Sequence, residues 1–237
     1  WEADGAVHGI ALGQGLVRVR VMDAGGAIDL NQARPELLDG LLLHLGIDDP
    51  RERERIVDNI LDWRDPSSGR RLHGDGGAGC AGSARPYGPR NDHFPAKEEL
   101  ALVLGITPEL YRRAAPLVTV HSRRSGVVPS SAPRGVLMAL PEVDEATLEQ
   151  VLAERDRASE LGMPAPAFPL ASPHLAEASG LAYTIESYAV LPSGHGSGLR
   201  VEIVQSGDVF SGPYSILSYR DLDSPPPVLA SGGGGRE

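Results

Sequence analysis

The sequence has 237 residues, a formal net charge of −10 at neutral pH, 41% hydrophobic residues and 23% charged residues. A chain of this length and composition is globular and can bury one sizeable hydrophobic core or two small ones. Because non-specific affinity for nucleic acid comes from clustered Lys and Arg, the negative charge argues against a protein that acts on phosphate backbones, and it argues equally against an anionic membrane surface.

Cysteine content and hydrophobicity exclude two further classes. Cys80 is the single cysteine, so the chain forms no intrachain disulfide. The sequence contains no run of about 18 apolar residues, and no basic and then apolar leader precedes Trp1. Because it starts without Met and on a strand-like segment, we expect it to be the soluble portion of a longer protein.

A half-exposed strand is predicted at residues 16–22, where valines alternate with arginines. Residues 28–65 then contain the end of a strand, a turn centred on Asn31 and two helices. The side chain of Asn31 is predicted to bond nearby backbone N–H groups and so to hold the turn that leads into the first helix.

The two helices are predicted from their apolar spacing and from their first residues. The first has leucines on one face at the 3.6-residue period, and the second begins with Pro50, where a missing N–H costs little. The predicted inward residues of the two helices are Leu37, Leu38, Leu41, Leu42, Leu45, Ile56, Val57, Ile60 and Leu61. The pair therefore forms an αα-hairpin with a shared buried side.

A long irregular segment rich in Gly, Pro and Ser follows at residues 66–94, and a loop of this length is usually functional or mobile. Short helices are predicted at residues 98–104 and after Thr107, which caps a helix that has Pro108 in its first position. Residues 117–121 are predicted to be extended.

Residues 126–156 repeat the plan of the first hairpin at an offset of 99 positions, so that Ala132 corresponds to Ala33. Pro129 and Ser130 stand where the first hairpin has Leu and Asn, so we expect the second turn to differ in conformation. The two hairpins are predicted to stack through their apolar faces, because together they bury what neither buries alone.

The period changes to two in three C-terminal segments near residues 183–187, 199–203 and 214–218, which predicts an antiparallel meander. A single strand cannot stand alone, so the strand at residues 16–22 is predicted to join this sheet. The fold class is therefore α+β: an antiparallel β-domain at residues 1–29 and 176–223, an inserted α-helical domain of two hairpins at residues 30–175, and a disordered tail at residues 224–237.

Four motifs in this order resemble the minor pseudopilin K family (GspK) of the type II secretion system. They are DAGGAIDLNQARPELL at residues 23–38, NILDWRD at 59–65, YGPRNDHFPAKEELALVLGITPELYRRAAPLVTV at 87–120 and VLAERD at 151–156. The resemblance covers nearly all of residues 16–219, and four ordered motifs are far more specific than any one of them.

The resemblance implies a pilin-like β-domain with a large inserted α-domain, preceded in the full protein by a long hydrophobic helix that anchors it in the inner membrane of a Gram-negative bacterium. It implies a periplasmic, non-enzymatic subunit at the tip of the pseudopilus. The expected partners are the minor pseudopilins I and J, with which the subunit would initiate or cap the fibre for protein export.

The resemblance also implies calcium in the long loop. A hard cation takes about six to eight oxygen ligands, several of them carboxylates. Two acidic positions of the family are occupied here by Pro66 and Ser67, so backbone carbonyls and water would have to complete the site. The alternative is that these aspartates cap helices and turns and that the loop is mobile. The candidate ligands are Asp62, Asp65, Asp75 and Asp92.

Two other chemistries have weaker support. Ser130 and Ser131 near His121 lack a nucleophile elbow and a placed acid, and a turn explains them better. Four loop residues could ligate zinc, but they lack C-x-x-C or H-x-x-x-H spacing. These four are His73, Asp75, Cys80 and His93.

The alternative function is a helix-hairpin-helix DNA-binding protein, because tandem hairpins that begin L-N-x-A occur there too. Such modules bring a Gly-x-Gly hairpin close to a phosphate, whereas the hairpin here reads LGIDDP and its two acids would repel the phosphate. A periplasmic hydrolase with a site in the long loop is a second alternative, and it needs a pocket that the sequence does not indicate.

Overall fold

In the computed structural model, which describes residues 3–67, 87–161, 163–177, 180–206 and 212–230, the chain divides into two compact units. We call Trp1–Ala24 together with Ala178–Glu237 the β-unit, and Gly25–Glu177 the α-unit. The α-unit is an insertion in the chain of the β-unit. The inserted domain is predicted at residues 30–175. In the structure the α-unit spans Gly25–Glu177, so it begins five residues earlier and ends two residues later.

The elements follow the predicted α+β class. The β-unit contains β1 (Asp4–Leu12), β2 (Gly15–Asp23), β5 (Ala182–Val190), β6 (Gly196–Gln205), β7 (Tyr214–Leu222) and the short helix α6 (Pro227–Ala230). The α-unit contains α1 (Pro35–His44), α2 (Pro50–Arg64), α3 (Pro108–Ala114), α4 (Arg134–Leu137), α5 (Glu145–Leu161) and the two-residue strands β3 (Ile28–Asp29) and β4 (Val118–Thr119). None of the described helices is both long and apolar enough to cross a membrane.

The first hairpin forms as its spacing predicts, and all nine predicted inward residues of α1 and α2 are buried. The side chain of Asp49 caps α2 by accepting a hydrogen bond from the N–H of Arg51 at 3.0 Å, and Pro50 lies in the first turn. Arg53 joins the two helices, because its Nε donates to Asp39 Oδ1 at 2.8 Å. The leucine face of α1 and the residues Asp49 and Pro50 at the start of α2 thus specify the hairpin through contacts between residues that are close in the sequence.

Between the hairpins, the predicted cap of α3 is present: Thr107 Oγ1 accepts from the N–H of Leu110 at 3.1 Å. The predicted helix at residues 98–104 is instead a 3₁₀-helix over Lys97–Leu102, which still buries Leu100.

The second hairpin repeats the backbone of the first. Before α1, the N–H of Ala33 donates to the carbonyl oxygen of Asp29 at 2.7 Å, and before α4 the N–H of Ala132 donates to that of Val128 at 3.0 Å. The prediction that the second turn differs in conformation is therefore wrong for these bonds. Ser130 occupies the position that Asn31 has in the first hairpin. The second hairpin therefore lacks the side-chain amide of Asn31, but it keeps the backbone bond of the turn.

A half-buried arginine contact is also repeated between the hairpins. In each case an arginine late in the second helix donates through its guanidinium to two carbonyl oxygens of the turn that leads into the first helix, which ties the ends of the hairpin together. The contacts are Arg64 to Leu30 at 2.7 Å and to Ala33 at 2.8 Å, and Arg155 to Pro129 at 3.2 Å and to Ala132 at 2.6 Å.

The two hairpins touch at two positions that are 99 residues apart in the sequence, which is the offset of the repeat. Gly40 of α1 packs so closely on Ala139, just after α4, that a Cβ at Gly40 would overlap the Ala139 carbonyl oxygen. This contact confirms that the hairpins stack, and it explains a glycine inside a helix, where glycine is otherwise unfavourable.

The turn before α1 is held by a buried carboxylate. Asp29 is 1% exposed; its Oδ1 accepts from the N–H of Asn31 at 2.8 Å, and its Oδ2 accepts from Ser122 Oγ at 3.0 Å and from the N–H of Arg123 at 2.8 Å. The Asn31 side chain instead exchanges two bonds with the backbone of Phe94, at 3.0 and 2.7 Å. The prediction that Asn31 bonds its own turn is therefore wrong, because Asp29 already satisfies that turn.

A backbone ladder joins the first and last segments of the α-unit. The carbonyl oxygen of Gly25 accepts from the N–H of Val128 at 2.8 Å. The N–H of Val127 donates to His174, and the N–H of Ala176 donates to Val127, both at 2.8 Å. The point where the chain enters the α-unit and the point where it leaves are therefore tied to one central segment.

The β-unit is built on a five-stranded antiparallel sheet in the order β1-β2-β5-β6-β7. β2 pairs with β5 from Leu16 opposite Val190 to Asp23 opposite Tyr183. The prediction that residues 16–22 join the C-terminal strands is confirmed. The predicted extended segment at residues 117–121 is not part of this sheet, because β4 pairs in parallel with β3 inside the α-unit.

One face of the sheet, which we call the polar face, carries an ion triad. Glu186 is 2% exposed and lies opposite Arg20 on β2 and Arg200 on β6. Arg20 Nη2 lies 2.6 Å from Glu186 Oε2, and Arg200 Nη1 lies 3.1 Å from Oε1. Both carboxylate oxygens are thus paired, so the buried charge is compensated.

The C-terminal segment packs against the same unit. Leu229 in α6 is 1% exposed, and its carbonyl oxygen accepts from Arg18 Nη1 at 2.8 Å. The predicted disorder of residues 224–237 is therefore wrong for residues 224–230, because one buried leucine and a run of prolines with restricted φ make ordering favourable. Residues 231–237 lie outside the described residues.

Replacing Gly40 with Ala should destabilise the protein. The added methyl group meets the backbone of Ala139, and overpacking of this kind costs about 1–3 kcal/mol, more than the helix propensity that alanine gains. Urea denaturation followed by helical circular dichroism measures the change. Gly88→Ala is the matched control, because a Cβ there meets open space. Equal stability of the two variants would contradict the close contact.

Replacing Glu186 with Gln should lower the free energy of unfolding by about 2 kcal/mol, since two arginines lose their shared charge while keeping some contact with water. Glu109→Gln, which removes an exposed partner of Arg112, should leave stability unchanged. Equilibrium denaturation of both variants against the parent is the measurement. A stable Glu186 variant would show that the triad does not hold the sheet.

Candidate functional site

The second face of the sheet is apolar and only half-buried. We call it the aliphatic face; it consists of Val17, Val19, Val21, Ile185, Leu199, Val201 and Ile203. Residues directly opposite one another point to the same side of a sheet, so the register groups these side chains: Val21 lies opposite Ile185, which lies opposite Val201. None of the seven is fully buried, whereas the core of the α-unit is nearly inaccessible to water.

The sequence produces the two faces by simple alternation. On β2 the valines alternate with Arg18 and Arg20, and on β6 Leu199, Val201 and Ile203 alternate with charged residues. Because successive side chains of a strand point to opposite sides, one alternation places the ion triad on one face and the aliphatic residues on the other. The polar face satisfies its own charges, while the aliphatic face offers area for a partner.

Exposed aromatic residues continue the apolar surface onto β7. Ile216 is 69% exposed and lies opposite Ile203, and Tyr219 lies opposite Val201. Tyr214 makes an edge contact with Tyr183, with ring centroids 6.3 Å apart. Partial burial, and then the charge of Asp23, raise the pKa of Tyr183, so its phenol stays protonated and neutral at physiological pH.

An exposed apolar surface of this extent is typical of an interaction site. The chemistry it offers is the removal of aliphatic and aromatic side chains from water. Charged groups on this side lie at its margins, where Asp23 is opposite Tyr183 and Asp221 is opposite Leu199. We therefore regard the aliphatic face, with its continuation on β7, as the candidate functional site.

The predicted metal ligands occupy one end of α2 and the segment that returns to it. Asp62 is buried in α2, and Asp65 ends the helix, with its Oδ1 accepting from the N–H of Ser67 at 2.9 Å. The N–H of Asp92 donates to the carbonyl oxygen of Trp63 at 3.2 Å, which brings Asp92 to the same end. Asp75 lies outside the described residues, and the part of the chain that is described contains no cluster of three metal-binding side chains.

The other candidate site residues lie only in part within the described regions of the chain. Of the zinc candidates, His93 is exposed, and the other three, at positions 73, 75 and 80, lie outside the described residues. Ser131 Oγ donates to the carbonyl oxygen of Val128 at 3.4 Å, in agreement with the turn interpretation.

Sequence reasoning missed two features of the site. β1 is interrupted by glycines, which hide its alternation, although its Ile10 lies opposite Val17 and extends the aliphatic face. The second feature is Glu186, a glutamate in the middle of an apolar strand, whose arginine partners become evident only from the register of the neighbouring strands.

Comparison with known proteins agrees with this architecture. Residues 16–123 match a family model described as type II secretion system (T2SS), protein K. No curated protein matches the chain. Among solved structures, the fold resembles a chain in the crystal structure of the GspK–GspI–GspJ complex from the enterotoxigenic Escherichia coli type 2 secretion system, with 18% sequence identity, a TM-score of 0.60, and coverage of 92% of this chain and 84% of that chain.

The family match includes the motifs that begin at Asp23, at Asn59 and at Tyr87, and the structural likeness extends to both units. The matched residues include the turn of Asp29 and Asn31 and the contact of Arg64 with the Leu30 carbonyl oxygen in the first hairpin. Over residues 16–123, somewhat less than half of its length, the chain is similar to the type II secretion system protein K family.

Proposed function

We propose that this chain is the K-type minor pseudopilin of a type II secretion system, and that it assembles with the minor pseudopilins I and J at the tip of the periplasmic pseudopilus to initiate or cap the fibre for protein export. The observation that carries the proposal is the insertion of the whole α-unit between two neighbouring strands, β2 and β5. A chain of the GspK–GspI–GspJ complex has a similar fold over 92% of this chain.

The aliphatic face supports an N-terminal anchor. We propose that a hydrophobic helix before Trp1 packs on this face and continues into the inner membrane of a Gram-negative bacterium, with both units in the periplasm. Fully burying an exposed valine, leucine or isoleucine gains about 1.5–3 kcal/mol. The seven residues of the face are already partly buried, so a covering helix gains only part of this at each of them, and it is the sum over the face that would hold the helix.

The proposal gives the chain a structural role and no enzymatic one. Among the described residues, the two most deeply buried acids are used by the fold: Asp29 holds a turn, and Glu186 pairs with two arginines. A face made of aliphatic side chains supplies contact area, which is what a fibre subunit needs.

The helix-hairpin-helix alternative is unsupported. In the turn between α1 and α2, Asp48 and Asp49 are exposed, and their negative charges face the position that a phosphate would occupy in such a module. Arg53 beside them is already engaged with Asp39 and with the carbonyl oxygens of Ile47 and Asp48. Arg53 therefore stabilises the hairpin itself.

We also propose that calcium binds at the end of α2, through Asp62, Asp65 and Asp92 together with Asp75. The backbone bond between Asp92 and Trp63 supports the site, because it brings the chain at Asp92 back to the end of α2, where Asp65 lies. Hard oxygen ligands of this kind suit calcium, which would stabilise the end of the helix and the loop together.

Co-purification tests the proposed assembly. The chain, expressed with the soluble domains of the I and J minor pseudopilins of the same genome, should elute as one ternary complex on size-exclusion chromatography. Mixtures with I alone and with J alone are the controls that separate pairwise from ternary contacts. Independent elution of all three proteins would count against the proposed function.

Calcium should raise the melting temperature of the chain above its value in EDTA. Binding to the folded state alone stabilises it by about 2.7 kcal/mol when the ion is at 100 times its dissociation constant. Scanning calorimetry at millimolar calcium makes the measurement. Asp65→Asn and Asp92→Asn should reduce the shift, whereas Asp48→Asn, in an exposed turn, should not. An unchanged melting curve would remove the site.

A further inference from the structure

Five exposed aliphatic side chains lie together at one end of the sheet, and we call them the apolar tip: Ile10, Leu12, Leu16, Val190 and Leu191. The β1–β2 turn and the β5–β6 turn are neighbours there, since Leu16 lies opposite Val190. Leu191 Cδ2 approaches to 3.5 Å the position that a Cβ on Gly15 would take. Leu12 and Leu191 are the most exposed, at 69% and 54%.

The apolar tip is free of formal charge. Residues 5–17 and 187–199 contain no Asp, Glu, Lys or Arg, although such residues make up 23% of the chain. On the far side of the sheet, Asp221 and Asp223 at the end of β7 mark the limit of this uncharged region. Depletion of charge together with projecting leucines is a pattern that favours contact with an apolar medium.

The apolar tip is apolar on both sides of the sheet. Leu16 and Val190 lie on the side of the polar face, whereas Ile10, Leu12 and Leu191 lie on the side of the aliphatic face, as the alternation along β1, β2 and β5 requires. A protein or a helix docked on one face would cover one of these two groups and leave the other in water. A medium that surrounds the end of the sheet would cover both.

The size of the apolar tip also favours a lipid bilayer over a protein as its partner. A stable protein interface uses about 20–30 residues on each side, and five aliphatic side chains at two turns fall well short of that. Shallow insertion into the boundary between lipid headgroups and acyl chains needs only a few apolar residues and no complementary protein surface.

We propose that the apolar tip inserts into the surface of a zwitterionic phospholipid bilayer. The binding is weak and reversible, because five side chains bury little area. The lipid is zwitterionic because anionic lipid would repel a chain with a net charge of −10. This proposal rests on the proposed function in one respect. The N-terminal anchor keeps the apolar tip close to the membrane, and this raises the effective concentration of the apolar tip there. Before the fibre grows, such a contact would hold the subunit against the membrane.

The experiment places an environment-sensitive fluorophore on single cysteines in the Cys80→Ser chain. Leu12→Cys reports on the aliphatic side of the tip and Leu16→Cys on the polar side. Ile216→Cys is the matched control, because Ile216 on β7 has the same 69% exposure as Leu12. With phosphatidylcholine vesicles, the emission at positions 12 and 16 should rise about twofold and shift to the blue, as in a membrane interface, while position 216 stays unchanged.

The proposal is overturned by no response at positions 12 and 16, by a response at only one of these two positions, which indicates one-sided docking, or by an equal response at position 216, which indicates non-specific adsorption. A response to soluble I and J without vesicles would assign the tip to a protein contact instead. Thermal melting of each labelled variant verifies its folding. The ternary complex is measured separately, so failure here leaves the proposed function intact.

Discussion

The pairing of β2 with β5 is the constraint on which the rest of the structure depends. Neighbouring strands lie about 4.8 Å apart, so a segment inserted between them must end very close to where it began. The α-unit meets this demand with its own hydrogen bonds, because Gly25 near its start and His174 near its end both bond to the segment Val127–Val128. The entropy of closing this long connection is therefore offset by folding of the α-unit itself, and the sheet has only to accept two ends that are already held.

The same constraint explains why the α-unit contains two hairpins. The central segment of the ladder is the chain that leads into the second hairpin, so the repeat supplies the piece that joins the two ends. Gly126 lets this segment approach, because a Cβ there would overlap the backbone of His174. Gly40 plays the matching part between the hairpins, where α1 meets Ala139. Two glycines, each at a backbone contact, thus determine how closely the repeat can pack.

Features that depend on near neighbours in the sequence were predictable, and features that depend on distant partners were not. The leucine face of α1, the start of α2 at Pro50 and the Thr107 cap each rest on residues within one or two turns, and all form as expected. Asn31 bonds Phe94, which the chain brings back only after the long loop, so nothing near Asn31 indicates that partner. Alternation along the strands identified two faces but could not show whether the apolar one is covered, because a buried and an exposed aliphatic face have the same sequence pattern.

The two edges of the sheet show why contacts through its face and its end are favoured over lengthening of the sheet. An exposed edge strand offers unpaired N–H and C=O groups to any other strand, and irregular pairing is one way in which proteins block this. The register shifts between Asp4 and Val7 on β1, where Gly5 has a positive φ, and again between Glu202 and Ile203 beside β7. Both edges of the sheet are thus irregular, which disfavours addition of a further strand. On the polar face the buried charge of Glu186 is compensated by two arginines, whereas burial of the aliphatic face and of the apolar tip still gains free energy.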